Sequence, residues 1–198
     1  MRLGELKSEI MTLGFEEAAT MSDGEYGLIV ANGINRAMQQ IALEVAPVTS
    51  EFEFVCDEDS VRSGGYVVFD ISLIPEYEEG DYLGVSSVMF VSDEEMVFGS
   101  VFKELPGRLY LEDRGSGVFY IEYKRRPRLI SVSSADDTEV DMPSSVVLMV
   151  APLAAYYIWL DDDAVKASMY RNDYEQLKES YFINCGSGSF SFERFFSM

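Results

Sequence analysis

The fold is decided by a strand-like run at residues 118–123. It reads Val118-Phe119-Tyr120-Ile121-Glu122-Tyr123. Aromatic and β-branched residues favour strands, and apolar residues at nearly every position are typical of a central strand covered on both faces. The run therefore predicts the centre of a β-rich region.

Further β-type runs lie on the N-terminal side of this strand. They occupy residues 52–55, 66–69, 85–91 and 109–111. Turn residues such as Gly64-Gly65 and Pro106-Gly107 separate them. Short strands with turns between them predict a small sheet or barrel, which we place at residues 48–140.

Helical patterns frame the β-rich region. Apolar residues recur every three or four positions before Pro47 and again after residue 141. Pro152 is expected either to kink the first C-terminal helix or to mark its start. We predict an α+β fold in which a helical bundle, formed by the N- and C-terminal helices, carries an inserted β-rich middle region and an extended C-terminal arm. The predicted domains are residues 1–47 with 141–183 for the helices, 48–140 for the β-rich insertion and 184–198 for the arm.

The C-terminal arm carries the first set of candidate binding residues. Its aromatic and basic side chains are Phe190, Phe192, Arg194, Phe195 and Phe196. Exposed phenylalanines lower solubility, whereas buried aromatic side chains commonly anchor protein interfaces. We therefore predict that these residues bind a partner, with packing of the arm onto its own domain as the alternative.

The composition is strongly acidic, with 15 Lys and Arg against 35 Asp and Glu and a net charge of −20. This charge argues against gripping nucleic acid, because that affinity rests on cationic side chains that displace counterions from phosphates. The basic residues cluster only after strand 118–123, at Lys124, Arg125, Arg126 and Arg128. We predict an inter-subunit basic patch there, with a nucleic-acid or targeting patch as the alternative.

No catalytic or metal-binding residue is predicted. The chain has no histidine, which removes the usual general base and the commonest transition-metal ligand. Cys56 and Cys185 lie far apart in the sequence, and the acidic clusters at residues 57–59, 93–95 and 161–163 lack the spacing of a calcium loop. We expect no cofactor and no enzyme activity; abundant carboxylates leave an acid-dependent hydrolase as a remote alternative.

The sequence predicts no membrane association. The longest apolar run, residues 146–160, contains Pro152 and is shorter than the roughly 20 residues of a membrane span. The N-terminus lacks the apolar stretch of a signal peptide. We therefore do not expect export by the signal-peptide route.

Three stretches resemble the head-to-tail adaptor proteins of tailed bacteriophages, also called connector or head-completion proteins. They are the helix Ile34-Asn35-Arg36-Ala37-Met38-Gln39-Gln40-Ile41-Ala42, the family's β-hairpin at residues 107–111 and 118–123 with its exit at Arg126-Pro127, and the closing helix pair that follows Asp141-Met142-Pro143 and includes residues 154–157 and 174–177. The stretches occur in the family's order and together cover well over half of the chain. Pro152 and the long segment at residues 48–104 depart from the family pattern.

This resemblance implies a structural subunit of the virion neck, between capsid and tail, assembled in the host cytoplasm. Its partners would be the portal protein, tail or neck proteins and further copies of itself in a homo-oligomeric, dodecameric ring. The C-terminal arm would reach the portal or a neighbouring subunit. DNA would pass through the ring without specific binding, because an acidic channel wall repels phosphates at short range.

A second hypothesis makes the β-rich middle a binding module for a glycan or a host-surface ligand on the virion. The candidate stacking residues are Tyr66, Tyr77, Tyr82 and Phe90. Ordinary packing of these rings within the sheet is the alternative.

Overall fold

The structure, a computed structural model, describes residues 1–13, 24–93 and 95–189. In chain order its first elements are α1 (Leu3–Thr12), α2 (Gly24–Glu44), β1 (Val48–Cys56), β2 (Arg62–Ser63), β3 (Tyr66–Asp70), α3 (Pro75–Glu78) and β4 (Tyr82–Val91). The remaining elements are β5 (Met96–Phe98), β6 (Phe102–Leu105), β7 (Arg108–Glu112), β8 (Gly117–Arg125), α4 (Val150–Trp159) and α5 (Ala164–Ser189). Helices and antiparallel sheets are both present, so the predicted α+β class is confirmed.

The chain divides into two compact units. Residues 1–46 and 127–198 form a helical unit, and residues 47–126 form a β unit. The β-rich region therefore ends earlier than the predicted boundary at residue 140. The reason is burial: Ile130 and Val140 belong to the core of the helical unit, and Glu139 forms a β-bridge with Arg2.

Helix α4 contacts three helices of its unit, α1, α2 and α5. The apolar spacing that predicted the helices places their side chains in one shared core, which includes Leu3, Leu6, Ile10, Ile34, Met38 and Ile41. Leu28, near the start of α2, lies outside this core and is 52% exposed. A bundle arrangement of these helices stays a prediction.

Two local features fit α4 into this core. The helix begins at Val150, so Pro152 lies in its first turn, where the amide hydrogen that proline lacks has no acceptor within the helix. Pro152 therefore marks the start of the helix. On α2, Gly33 permits a close approach between α2 and α4, because a Cβ at this position would lie 2.8 Å from Cγ1 of Ile158 on α4.

The β unit contains two four-stranded sheets. The first sheet has the order β1-β8-β4-β5 and the second the order β2-β3-β7-β6. Strand β8 is central in its sheet, as predicted, but only alternate residues are buried, so the expected burial on both faces is wrong. The predicted hairpin of residues 107–111 with 118–123 is also wrong, because β7 and β8 lie in different sheets.

The two sheets bury a common core that is rich in aromatic residues. Residues facing inward from the first sheet include Phe54, Phe90 and Phe119, which lie in one cross-strand row of β1, β4 and β8. The ring of Phe69 on β3 lies 5.0 Å from that of Phe54. The inward face of each sheet is thus set by the alternation of side chains along its strands.

The final helix is longer than the sequence indicated. The arm was predicted to begin at residue 184, but α5 continues to Ser189. Tyr181 still packs against the helical core, whereas residues 182–185 are exposed. Among the described residues, none of the helices combines the length and apolarity needed to cross a membrane.

Candidate functional site

The predicted partner-binding residues of the arm are Phe190, Phe192, Arg194, Phe195 and Phe196. All five lie outside the described residues. Their role as anchors for a portal or a neighbouring subunit stays a prediction.

The predicted basic patch is divided by the fold. Arg125 is only 7% exposed, and its Nε donates a 2.7 Å hydrogen bond to Oγ of Ser50. Its Nε also lies 4.0 Å from a carboxylate oxygen of Glu76. Including Arg125 in a surface patch was therefore wrong, because its side chain is buried and binds groups within the β unit. Lys124, Arg126 and Arg128 are exposed.

A cluster of tyrosines and carboxylates lies beside Arg125. The hydroxyl of Tyr123 donates a 2.7 Å hydrogen bond to Glu76, and the hydroxyl of Tyr82 donates one of 2.8 Å to Glu104. The ring of Tyr82 lies 5.7 Å from that of Tyr123 and 5.6 Å from that of Tyr77. We call Glu76, Tyr77, Tyr82, Glu104 and Tyr123 the tyrosine cluster.

The hydroxyls of Tyr82 and Tyr123 remain protonated donors near neutral pH. Burial is the main cause, and the hydrogen bond to Glu76 the second, of a pKa of Tyr123 that is raised to about 12. Burial and the hydrogen bond to Glu104 raise the pKa of Tyr82 well above its ordinary value. A tyrosine with a raised pKa is a poor base near neutral pH, so the cluster is suited to hydrogen bonding and packing.

Of the four residues proposed to stack on a glycan, Phe90 is excluded, because it is fully buried in the core. Tyr66 packs against the ring of Tyr110 in an edge-on arrangement, 6.5 Å between centroids. Tyr77 is 37% exposed and lies beside Tyr82. Only Tyr77 and Tyr82 are thus brought together.

The outer face of the first sheet carries exposed apolar residues that the sequence analysis missed. One cross-strand row is Val55, Val118, Val91 and Met96, and the next outward row is Glu53, Tyr120, Met89 and Phe98. The intervening row, with Phe119 and Phe90, faces the core. We call Val55, Met89, Val91, Met96, Phe98, Val118 and Tyr120 the outer apolar face.

Three of these side chains are largely in contact with solvent. Val55 is 65%, Met96 58% and Phe98 74% exposed. Val55 lies on β1, whereas Met96 and Phe98 lie on β5. The local sequence around any one of them therefore does not indicate a shared surface. Alternation along β1, β4 and β8 was the available signal, because it assigns every second apolar residue to the outer side.

Carboxylates border this face. Glu51 on β1 pairs directly with Glu122 on β8, and Glu53 follows on the same side of β1. Glu122 accepts hydrogen bonds of 3.1 and 2.9 Å from the hydroxyls of Ser86 and Ser87. Like charges directly opposite in neighbouring strands are unfavourable, and Lys124 in the next outward row supplies only one cation against three anions.

The remaining polar groups named from the sequence have structural roles. Asp57 accepts hydrogen bonds within its loop from Ser60 and from the amide of Asp59. Asp163 caps α5 by accepting from the amides of Val165 and Lys166. Cys56 is buried and Cys185 exposed. Within the described ranges, no three acidic or thiol side chains are grouped as ligands for a metal ion.

In the helical unit, Glu44 connects α2 to α5. Its carboxylate accepts hydrogen bonds of 2.7 Å from Gln40, 2.8 Å from Lys178 and 3.3 Å from the hydroxyl of Tyr174. The hydrogen bond from Lys178 is the main cause of the lowered pKa of Glu44. This network holds two helices together and contains no group with the arrangement of a nucleophile and base.

Comparisons with known proteins give no family assignment. No protein-family model matches the chain, and a search of curated proteins finds no significant relative.

Proposed function

We propose that the chain is a structural head-to-tail adaptor subunit of a tailed bacteriophage, with no chemistry of its own. Copies of it form a ring under the portal, extend the DNA channel and provide the platform to which the tail attaches. The ring resides in the virion neck.

The observation that carries this proposal is the outer apolar face. Isolated exposed apolar residues are ordinary, whereas this face forms one contiguous apolar patch that spans the four strands of a sheet, and such patches are often functional. Such a surface is expected of an assembly subunit, and an enzyme has no requirement for it.

The resemblance to adaptor proteins supports the same function through the helical unit. Its first stretch lies within α2, where Ile34, Met38 and Ile41 enter the core, and the closing stretches lie within α4 and α5. These stretches thus supply the packing that α1, α2, α4 and α5 share. The stretch that resembled a hairpin gives no support, since its strands do not pair.

The acidity has a physical use in this proposal. Double-stranded DNA carries one negative charge per roughly 1.7 Å of axis, and the subunit has a net charge of −20. Carboxylates that face a channel would repel the phosphates within about 8–10 Å. DNA would therefore slide through the ring without being held.

The test is negative-stain electron microscopy of the full chain, alone and mixed with candidate portal proteins. We expect closed rings of defined rotational symmetry, alone or on the portal. A chain that remains monomeric and unbound with every portal tested would overturn the proposal.

A glycan-binding role is the second candidate, and the pairing of Tyr77 with Tyr82 beside Glu104 is the observation that favours it. Glycan-array binding by the full chain, abolished by Tyr77→Ala but retained by Tyr26→Ala, would support this role. Tyr26 is a matched control because it is an exposed tyrosine in the helical unit, 52% accessible. Absence of saturable binding would eliminate the candidate.

A further inference from the structure

The outer apolar face has a size and a charge that restrict what binds it. Neighbouring strands lie about 4.8 Å apart and alternate residues about 6.8 Å apart, so two rows over four strands cover roughly 250 Å². A stable interface between folded proteins needs about 800 Å² from each partner. The face is therefore too small to hold a second folded copy by itself, and its area suits a short peptide segment.

The charges beside the face select the chemistry of that segment. Glu51, Glu53 and Glu122 lie on the same side of the sheet as the apolar rows, with Lys124 as the nearby cation. A segment with several large apolar side chains and a cationic side chain among them would fill the rows and pair with one of these carboxylates. Arginine is well suited because its guanidinium binds carboxylates bidentately.

The C-terminal segment, residues 190–198, has this composition. It reads Phe190-Ser191-Phe192-Glu193-Arg194-Phe195-Phe196-Ser197-Met198. In extended form, nine residues span about 30 Å, which exceeds the width of the face. Four phenylalanines match the apolar rows. Arg194 lies between Phe192 and Phe195 and directly follows Glu193, so the segment has no net positive charge and Arg194 would act through a local contact with one carboxylate of the face.

Helix α5 extends beyond its contacts with the helical core. Among its described side chains, the last fully buried one is Tyr174, and the last that packs against the core is Tyr181. From Tyr181 to Ser189 the helix advances about 12 Å further. Residues 190–198 follow this end of the helix in the sequence.

We propose that residues 190–198 of one copy bind the outer apolar face of a neighbouring copy. The inference rests on the proposed function, because it supplies the contact between successive ring subunits. Segment and face differ, so the contact is heterologous, and repetition of such a contact closes a ring when the rotation permits.

The experiment uses the full chain with Phe195 replaced by the photo-crosslinking residue p-benzoyl-phenylalanine. Irradiation is expected to give a band at twice the chain mass in denaturing electrophoresis, with the crosslink mapped by mass spectrometry to residues 89–98 or 118–120. Met96→Ser with Phe98→Ser should reduce this band by at least about tenfold, because two large apolar contacts are removed. Leu43→Ser is the matched control, because Leu43 is 74% exposed, as Phe98 is, but lies on α2.

A charge exchange provides a second measurement that does not depend on apolar substitutions. Arg194→Glu should weaken crosslinking, and the additional substitution Glu53→Arg should restore it. Crosslinks within one chain, crosslinks to the helical unit, or full crosslinking by the Met96→Ser, Phe98→Ser variant would each overturn the inference. Rings in electron micrographs without this crosslink would refute the inference alone, whereas crosslinked copies that form no rings would refute only the proposed function.

Discussion

Gly117 begins β8 at a point where no side chain fits. A Cβ at this position would lie 2.6 Å from both Cζ of Phe90 and the carbonyl oxygen of Val91. Gly117→Ala should therefore force the backbone or a core ring to move, at a cost of about 1–3 kcal/mol in the free energy of unfolding. Urea unfolding followed by circular dichroism measures this cost. Ser116→Ala, at an exposed neighbouring position, should stay within about 0.5 kcal/mol of wild type. Equal urea midpoints for wild type and the two variants would contradict the close packing of Phe90 and Val91 against Gly117.

Tyr123 should make the β unit sensitive to alkaline pH. Its pKa is raised to about 12 by burial and by the hydrogen bond to Glu76, whereas an unfolded chain releases this proton near pH 10. The stabilisation is thus fully present below about pH 10 and is lost as the pH rises toward 12. Tyr123→Phe should flatten the fall in unfolding free energy over this interval, measured by urea titrations at stepped pH. Parallel profiles for the two proteins would refute this assignment.

Sequence periodicity succeeded for residues whose environment is set by their own element. The three-to-four spacing in α1 identified Leu3, Leu6 and Ile10, which are all buried. Alternation would also have separated Arg125 from Lys124 and Arg126, but a run of basic residues suggested a patch. Arg125 lies on the inward side of β8, with Tyr123 and Ile121.

The sequence could not specify which strands pair or how far α5 extends. Strand pairing depends on contacts between distant residues, so β7 and β8 looked like a hairpin although they lie in different sheets. Helix α5 continues to Ser189, although Tyr181 is the last of its described side chains that packs against the core. The outer apolar face was missed for the same reason as the pairing, since its rows exist only across four strands.

The contact of α2 with α4 should depend on Gly33. A Cβ there would lie 2.8 Å from Cγ1 of Ile158 and 3.2 Å from the carbonyl oxygen of Ala154. Alanine is favoured over glycine in a helix by about 1 kcal/mol, so a net loss of stability in Gly33→Ala would demonstrate the close approach. In an Ile158→Ala background the same substitution should cost less, and the double-mutant cycle measures the coupling. Additive effects would show that the two side chains do not compete for space.

The two units each have a complete core. The buried cluster of the helical unit contains only residues of that unit, and the cluster of the β unit only residues of its own. Trp159, the single tryptophan, lies on α4 in the helical unit, while Cys56 is buried in the β unit. Tryptophan fluorescence and the labelling rate of the Cys56 thiol therefore report on the two units separately.

Substitutions in one core should accordingly destabilise one unit. Phe119→Ala removes a fully buried ring from the β unit and should cost about 3–5 kcal/mol, so that Cys56 becomes reactive at lower urea while the fluorescence midpoint is retained. Met38→Ala, at a fully buried position of the helical unit, should do the reverse. Multi-domain chains commonly depart from two-state unfolding in this way. If either substitution shifted both signals equally, the chain would unfold as one cooperative body.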